Sequence, residues 1–495
     1  MILFDEDSDA RFYPVEAGTM ITADLDLLID RLVDTQVKTF VVGVNAQLTN
    51  YPSKVWQTYL DGFDMANGLE QPYMMALKDK WVYRRASGIQ VLANHGIDSN
   101  SYLLRRAREK GMKGYVTIRM NDIHDSEYER HPLHSKFWMD HPEMRVSDHP
   151  YENGFDYTFE EVRTYYMGLI HEVLELYNID GIVIDWMRGF PYFKEGEGYG
   201  KRDLITEMMT RICDSVRKAE KKSGRKIELC VRVPVKPQNA LKLGFDALEW
   251  VKRELLDRLI ISPYFYTNYE INANEWKSAI NKSGFLVTAD IENALSNYPG
   301  SLGTVMTVEE IRGAAWGALH RGADDIYLFN FMSRRNNPAN RAMFTDCGSI
   351  ETLHGKSRTF KITWDDVETP IRELDEMNRV PGYKEKWFAE KMANGIYPFP
   401  LPSTLAQGKT KIFKLYTGPT PESDAKWILK IDGLGTNSIV KINNHEFSFS
   451  HDICGIDRNT MQDESVIIEI TNKGETDFTI TNLELSVSFL EQRVE

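Results

Sequence analysis

From residue 24 onward the chain alternates between two hydrophobic periods. Leu25, Leu28, Ile29, Leu32 and Val33 recur at helical spacing, and an almost wholly apolar, β-branched run over 38–46 follows them. Such a run suits a parallel strand buried on both faces. Further strand-like runs stand at 113–122, 155–158, 181–186, 227–234, 258–265, 285–292 and 324–331, with amphipathic stretches such as 162–177 and 204–216 between them. Eight strands alternating with helices predict a (β/α)8 barrel. The segment of about 50 residues after the first run is too long for a plain connector and reads as functional. A doubly wound open sheet is the rival. It would place a Gly-rich phosphate turn after an early strand, and the sequence has none there.

After about residue 350 the texture changes. Short alternating segments such as KWILKIDG, SVIIEITN and LELSVSF are separated by Gly, Asn and Pro, the pattern of an antiparallel sandwich. The chain is therefore expected to be α/β: a TIM-type barrel over 1–350, a linking segment over 351–400 and a β-sandwich over 401–495. A length of 495 residues agrees with more than one core.

Charge narrows the partners. A net charge of -14 argues against a nucleic-acid groove or a membrane surface, yet leaves room for a local basic pocket facing an anionic substrate. No apolar run approaches the roughly 18 residues of a membrane helix. The N-terminal MILFDEDSDARF lacks a basic stretch followed by a long apolar one, so a cytosolic chain and a processed secreted chain both stay open. Cys213, Cys230, Cys347 and Cys454 match no metal spacing and are expected as reduced, partly buried thiols. His124, His131, His134 and His141 are spaced by seven, three and seven residues. That matches no ligand pattern, and they read as solvated loop side chains. No metal and no cofactor are expected.

In a parallel barrel the chemistry sits where strands end. Asn45 closes the first run; Arg119, Asn121 and Asp122 the second; Asp185 and Trp186 the fourth, with Arg188 just beyond. Asp156 lies in the third and Arg232 in the fifth. Tyr264, Phe265 and Tyr266 close the sixth, Asp290 and Glu292 the seventh, Asn330 the eighth. Carboxylates for acid and base or nucleophile, Arg and Asn for hydroxyl groups and aromatic faces for pyranose rings are what a sugar site needs. Asp185, which ends GIVID, and Glu292, which ends LVTADIE, are the expected catalytic pair, with Asp185 needed for turnover and not for folding. Alternation is expected to send only one of Asp290 and Glu292 inward. Asn45, Arg119, Asn121, Trp186, Arg188, Arg232, Tyr264 and Asn330 are the expected substrate-binding residues. Arg119 and Arg232 equally suit ion pairs with inward acids.

The segment LELYNIDGIVIDWMRGFPYF, with Tyr177, Asp180, Gly181, Ile182, Asp185 and Arg188, resembles the fourth-strand passage of the hypothetical glycoside hydrolase barrels described as family-10-like. The passage carrying Asp246, Trp250 and Asp257 looks like the fifth-to-sixth strand region of the same group, and the C-terminal texture is similar to the sandwich that often follows such barrels. The resemblance implies a glycosidase acting on a polysaccharide or its oligosaccharides, leaning toward retention of configuration. Relatives of the larger clan place a Glu at both the fourth and seventh strands. Asp185 departs from that, so the acid and nucleophile roles stay open between the pair. A carbohydrate-binding barrel without turnover and a metal-dependent sugar-converting barrel are the alternatives.

Overall fold

The computed structural model describes residues 1–147, 153–189, 191–331, 340–369, 371–420, 425–462 and 464–489. Eight parallel strands close into a barrel. They are β1 (Ile2–Asp5), β2 (Val37–Gly43), β3 (Lys113–Arg119), β4 (Gly181–Asp185), β5 (Glu228–Pro234), β6 (Arg258–Ser262), β7 (Leu286–Glu292) and β8 (Asp325–Phe329). Helices cover them from outside, including α1 (Thr22–Asp30), α2 (Lys80–Asn94), α3 (Ser99–Glu109), α4 (Glu160–Leu176), α5 (Gly198–Ser223), α6 (Ala273–Ile280) and α7 (Val308–His320).

The strand count of eight holds, but one member differs. Residues 155–158 are not a strand. Phe155 makes an isolated bridge to Arg145, and the Asp156 carboxylate accepts from the Thr158 backbone N at 2.8 Å, which bends the chain into a turn. The missing strand is the N-terminal ILFD, paired in parallel with β2 on one side and β8 on the other. Three apolar residues and an Asp, with no flanking periodicity, gave no strand signal, although all four are buried.

Inside the barrel Val41, Tyr115, Val183, Cys230, Ile260 and Tyr327 pack together. Toward the strands' C-terminal ends the inward positions become Asp5, Asp185, Arg232, Ser262 and Asp290, all nearly or fully buried. The interior thus turns from apolar to charged along its own axis, at the end where a barrel carries its chemistry.

The sandwich begins earlier than residue 401. β9 (Arg358–Lys361) pairs with the last strand of the chain, 482–488, inside the segment read as a linker. The rest of that segment holds α8 (Ile371–Arg379) and α9 (Tyr383–Ala393). Two four-stranded antiparallel sheets and a strand pair make up the sandwich. Its inner faces follow the alternation, as in 464–472, where every second residue is buried. All four cysteines are buried and unpaired.

Sandwich and barrel meet at α7. A Cβ on Gly313 would lie 1.9 Å from the Thr359 carbonyl of β9. Gly in a helix interior is about 1 kcal/mol worse than Ala, so its presence marks the close approach. Gly313→Ala is expected to destabilise the protein by about 2 kcal/mol, overpacking outweighing propensity. Thermal denaturation checks this, and an unchanged or raised Tm would show that the junction yields.

Candidate active site

One guanidinium organises the barrel mouth. Asp185 and Arg232 are lateral neighbours on β4 and β5, and Arg232 Nη1 donates to Asp185 Oδ2 at 2.7 Å. Arg232 Nη2 donates to Asp290 Oδ2 at 2.5 Å and to Ser262 Oγ at 2.8 Å, and lies 3.4 Å from Glu292 Oε1. The guanidinium carbon stands 4.1 Å from the Phe329 ring centroid. The Met187 backbone N donates to Asp185 Oδ1 at 2.8 Å, and Asn330 Nδ2 to Glu292 Oε2 at 2.7 Å. Arg232 and all three acids are fully buried.

Three acids around one buried cation cannot all carry charge cheaply. Burial first, and then the neighbouring Asp290, push Glu292 well above the usual carboxyl range, against the pull of Arg232, Arg188 and Asn330. Burial also raises Asp290, opposed by Arg232 and Ser262. Protonation within the cluster is therefore favoured on the β7 pair. Asp185, by contrast, has both oxygens occupied by donors. Because Asp185 and Glu292 contact sister nitrogens of one guanidinium, their nearest oxygens lie within about 8.5 Å, a span that contains the retaining separation and the lower part of the inverting one.

The expectation that only one of Asp290 and Glu292 would face inward is corrected. Residues two apart on a strand share a face, and both reach Arg232.

Beside this cluster opens a cleft of about 250 Å³, lined by Asp122, His124, Arg188, Tyr264, Phe265 and Arg379 among others. Asp185 and Glu292 are not among its lining residues. The residue that connects the two is Arg188, which lines the cleft and whose charge acts on Glu292; Asn330, half-buried, bonds to Glu292 but does not line the cleft. Burial alone would raise Asp122, but His124, Arg119 and Arg188 hold its carboxyl well below the usual range. Arg119 reaches Asp122 at 3.0 Å and also pairs with Asp7.

The remaining expected binding residues separate. Arg188 and Tyr264 line the cleft. Asn45 is turned to the backbone, donating to the Arg119 carbonyl at 3.0 Å and accepting from the Arg119 N at 3.2 Å. Asn121 likewise ties down Phe155, at 3.2 and 3.0 Å. Trp186 is fully buried against Tyr157, Tyr192 and Phe245. It follows Asp185 directly, so it points to the strand's opposite face and offers no ring to a sugar. Phe265, by contrast, presents a ring that is 36% exposed in the cleft. The reading of the histidines as solvated is corrected for His131 and His134, which are buried; both His134 ring nitrogens contact backbone carbonyls. Among the described residues no group of three or more His, Cys, Asp or Glu side chains could hold a metal ion.

Asp366 gave no local signal, lying about a hundred residues beyond the strand it serves. Its carboxylate accepts from the backbone N–H groups of Tyr264, Phe265 and Tyr266 at 2.8, 2.5 and 2.9 Å. Burial raises it to about 7 against these three amides. Asp366 thus fixes the aromatic wall of the cleft from outside the barrel. Asp366→Ala leaves three amides without their acceptor and is expected to remove about 3 kcal/mol of stability. Urea denaturation reads the loss, and a change under 0.5 kcal/mol would mean the loop finds other acceptors.

No family model and no curated protein matches the chain. Among solved structures it is similar to the PgaB (BpsB) glycoside hydrolase domain from Bordetella bronchiseptica, at 11% identity over 70% of this chain and 98% of that one, with a TM-score of 0.42. A noncanonic maltogenic α-amylase, AmyB from Thermotoga neapolitana, matches at 11% identity over 99% of both chains, TM-score 0.34. A putative α-L-fucosidase from Bacteroides thetaiotaomicron matches at 11% identity over 99% of this chain and 95% of that one, TM-score 0.36. These neighbours are described as glycoside hydrolases or glycosidases. At such identities and scores the likeness carries no argument about this chain's activity.

Proposed function

We propose that the chain is a glycoside hydrolase of the family-10-like barrel group, with Asp185 and Glu292 as its working pair and residues 1–350 as its catalytic unit. The observation that carries this is the division of labour around Arg232. Two acids at the C-terminal end of one barrel share a cation, yet one is held against permanent donors while the other is pushed toward its protonated form. Environments that drive two carboxyls apart assign acid and nucleophile. In this reading Glu292 protonates the departing glycosidic oxygen, and Asp185 attacks the anomeric carbon to give a glycosyl-enzyme. Water then releases the sugar with Glu292, now deprotonated, as base, so configuration is retained. Phe265 supports the reading with a ring face for a pyranose, and Asn330 with a half-buried side chain bonded to Glu292.

A second reading, a carbohydrate-binding barrel without turnover, has one observation in its favour: both carboxyls are fully buried. Incubation with a panel of polysaccharides under reducing-end detection separates the two. The hydrolase releases reducing ends from at least one member; the binding barrel retains a member and releases none.

A further inference from the structure

Arg188 is 6% exposed and lines the cleft. A guanidinium at that depth ordinarily meets a carboxylate, because an uncompensated buried charge is costly. Among the described residues Arg188 meets none. Its one side-chain hydrogen bond runs from Nη2 to His124 Nε2 at 3.3 Å, and its guanidinium carbon stands 5.4 Å from the Phe329 ring centroid. Since Arg only donates, that imidazole nitrogen accepts and brings no negative charge.

The acids around the cleft have cations or imidazoles of their own. Asp122 feels the field of Arg188 but makes its contacts with Arg119 at 3.0 Å and His124 Nδ1 at 2.9 Å. Glu127 is paired with Arg379 at 2.9 Å. Asp125 lies 3.9 Å from His131 Nε2, an imidazole it shares with the nearer Asp79 at 3.5 Å. Glu292, which feels the field of Arg188, is favoured in its uncharged form by burial and by Asp290. What remains is a forked cation in a concave site, beside an aromatic ring that is 36% exposed. A fork of that kind matches a carboxylate bidentately.

We propose that the cleft binds a sugar that carries a carboxylate, a uronic acid residue, through Arg188. The sugar ring rests on the carbohydrate reading above; the carboxylate is read from Arg188 independently of turnover. The net charge of -14 makes this a local recognition, not long-range attraction of polyanions.

Equilibrium titration tests it with oligogalacturonate, oligomannuronate and oligoglucuronate, the carboxyl-reduced form of each, and a sulfated oligosaccharide with no uronic acid. Wild type, Arg188→Gln and Arg188→Lys are compared, each verified as folded by circular dichroism. The expected result is that at least one oligouronide binds tenfold or more tighter than its reduced form, that added salt narrows the gap, that Arg188→Gln abolishes it and that Arg188→Lys keeps part of it. Equal binding of acidic and reduced forms, binding of no oligouronide, a preference that survives in folded Arg188→Gln, or stronger binding of the sulfated probe would each overturn the proposal. The wild-type comparison alone decides if neither variant folds. Hydrolysis of neutral glycans without any acid preference would refute this inference and leave the hydrolase reading standing. Tight oligouronide binding without turnover would do the reverse.

Discussion

Asp185→Asn is expected to lower the turnover of a cleavable glycoside by a factor of about 10³ or more. The amide keeps the size of the side chain and an oxygen for the Met187 N–H, so the barrel mouth keeps its shape. What disappears is the oxygen proposed as nucleophile and the charge that faces Arg232 at 2.7 Å. The sequence alone suggested that folding would not notice. Full burial of the pair revises that: a loss of about 1–3 kcal/mol is expected, because a buried cation loses one of its anions while Asp290 remains. Initial rates and urea denaturation of the purified variant read both effects. Turnover within tenfold of wild type would remove Asp185 from the mechanism.

Arg232→Met has the largest expected effect on stability. Methionine fills much of the volume but leaves Asp185, Asp290 and Glu292 buried together without a cation. Removing one partner of a buried ion pair typically costs about 3–5 kcal/mol, and here one residue serves three acids. The sign of the pH dependence follows from linkage. Burial already raises Asp290 with Arg232 in place; without the guanidinium its folded-state value rises further above the roughly 3.9 of an unfolded Asp, so the variant's folded state binds still more protons relative to its unfolded state. The deficit relative to wild type therefore grows as pH rises above about 4 and shrinks as pH falls toward it. Urea midpoints at pH 5 and pH 8 test this. A deficit that is equal at both values, or larger at pH 5, would show that the acids do not depend on Arg232 for their charge.

The legible part of this protein is the part written in local pattern. GIVID ends an apolar run on an acid, and the barrel places that acid inward at the strand's C-terminal end. Arg232, a charge inside an apolar strand, was recognisable as paired or functional, and it is the hub of the cluster. The unreadable parts have separate causes. β1 is four residues long, too short for any period to show. Residues 155–158 look strand-like, but Asp156 makes a turn there. Trp186 looked like a sugar platform because it adjoins Asp185, and adjacency on a strand means opposite faces. Asn45 and Asn121 carry the right chemistry but turn it toward backbone groups, which composition cannot reveal. The contact of Asp366 with three amides near β6 depends on the path of the chain from barrel to sandwich, and no local window contains both partners.

The central claim is that Asp185 and Glu292 perform glycoside hydrolysis, and the most direct measurement pairs turnover with binding. On a polysaccharide or oligosaccharide that the wild type cleaves, initial rates of reducing-end release and equilibrium binding of the same ligand are recorded for the wild type and for a folded Asp185→Asn, Glu292→Gln double variant. The expected result is binding within about tenfold of wild type, with reducing-end release reduced to the background rate. Release by the double variant at a rate comparable with wild type would contradict the claim and move the chemistry to other acids of the mouth, with Asp122 and Asp290 the first to test.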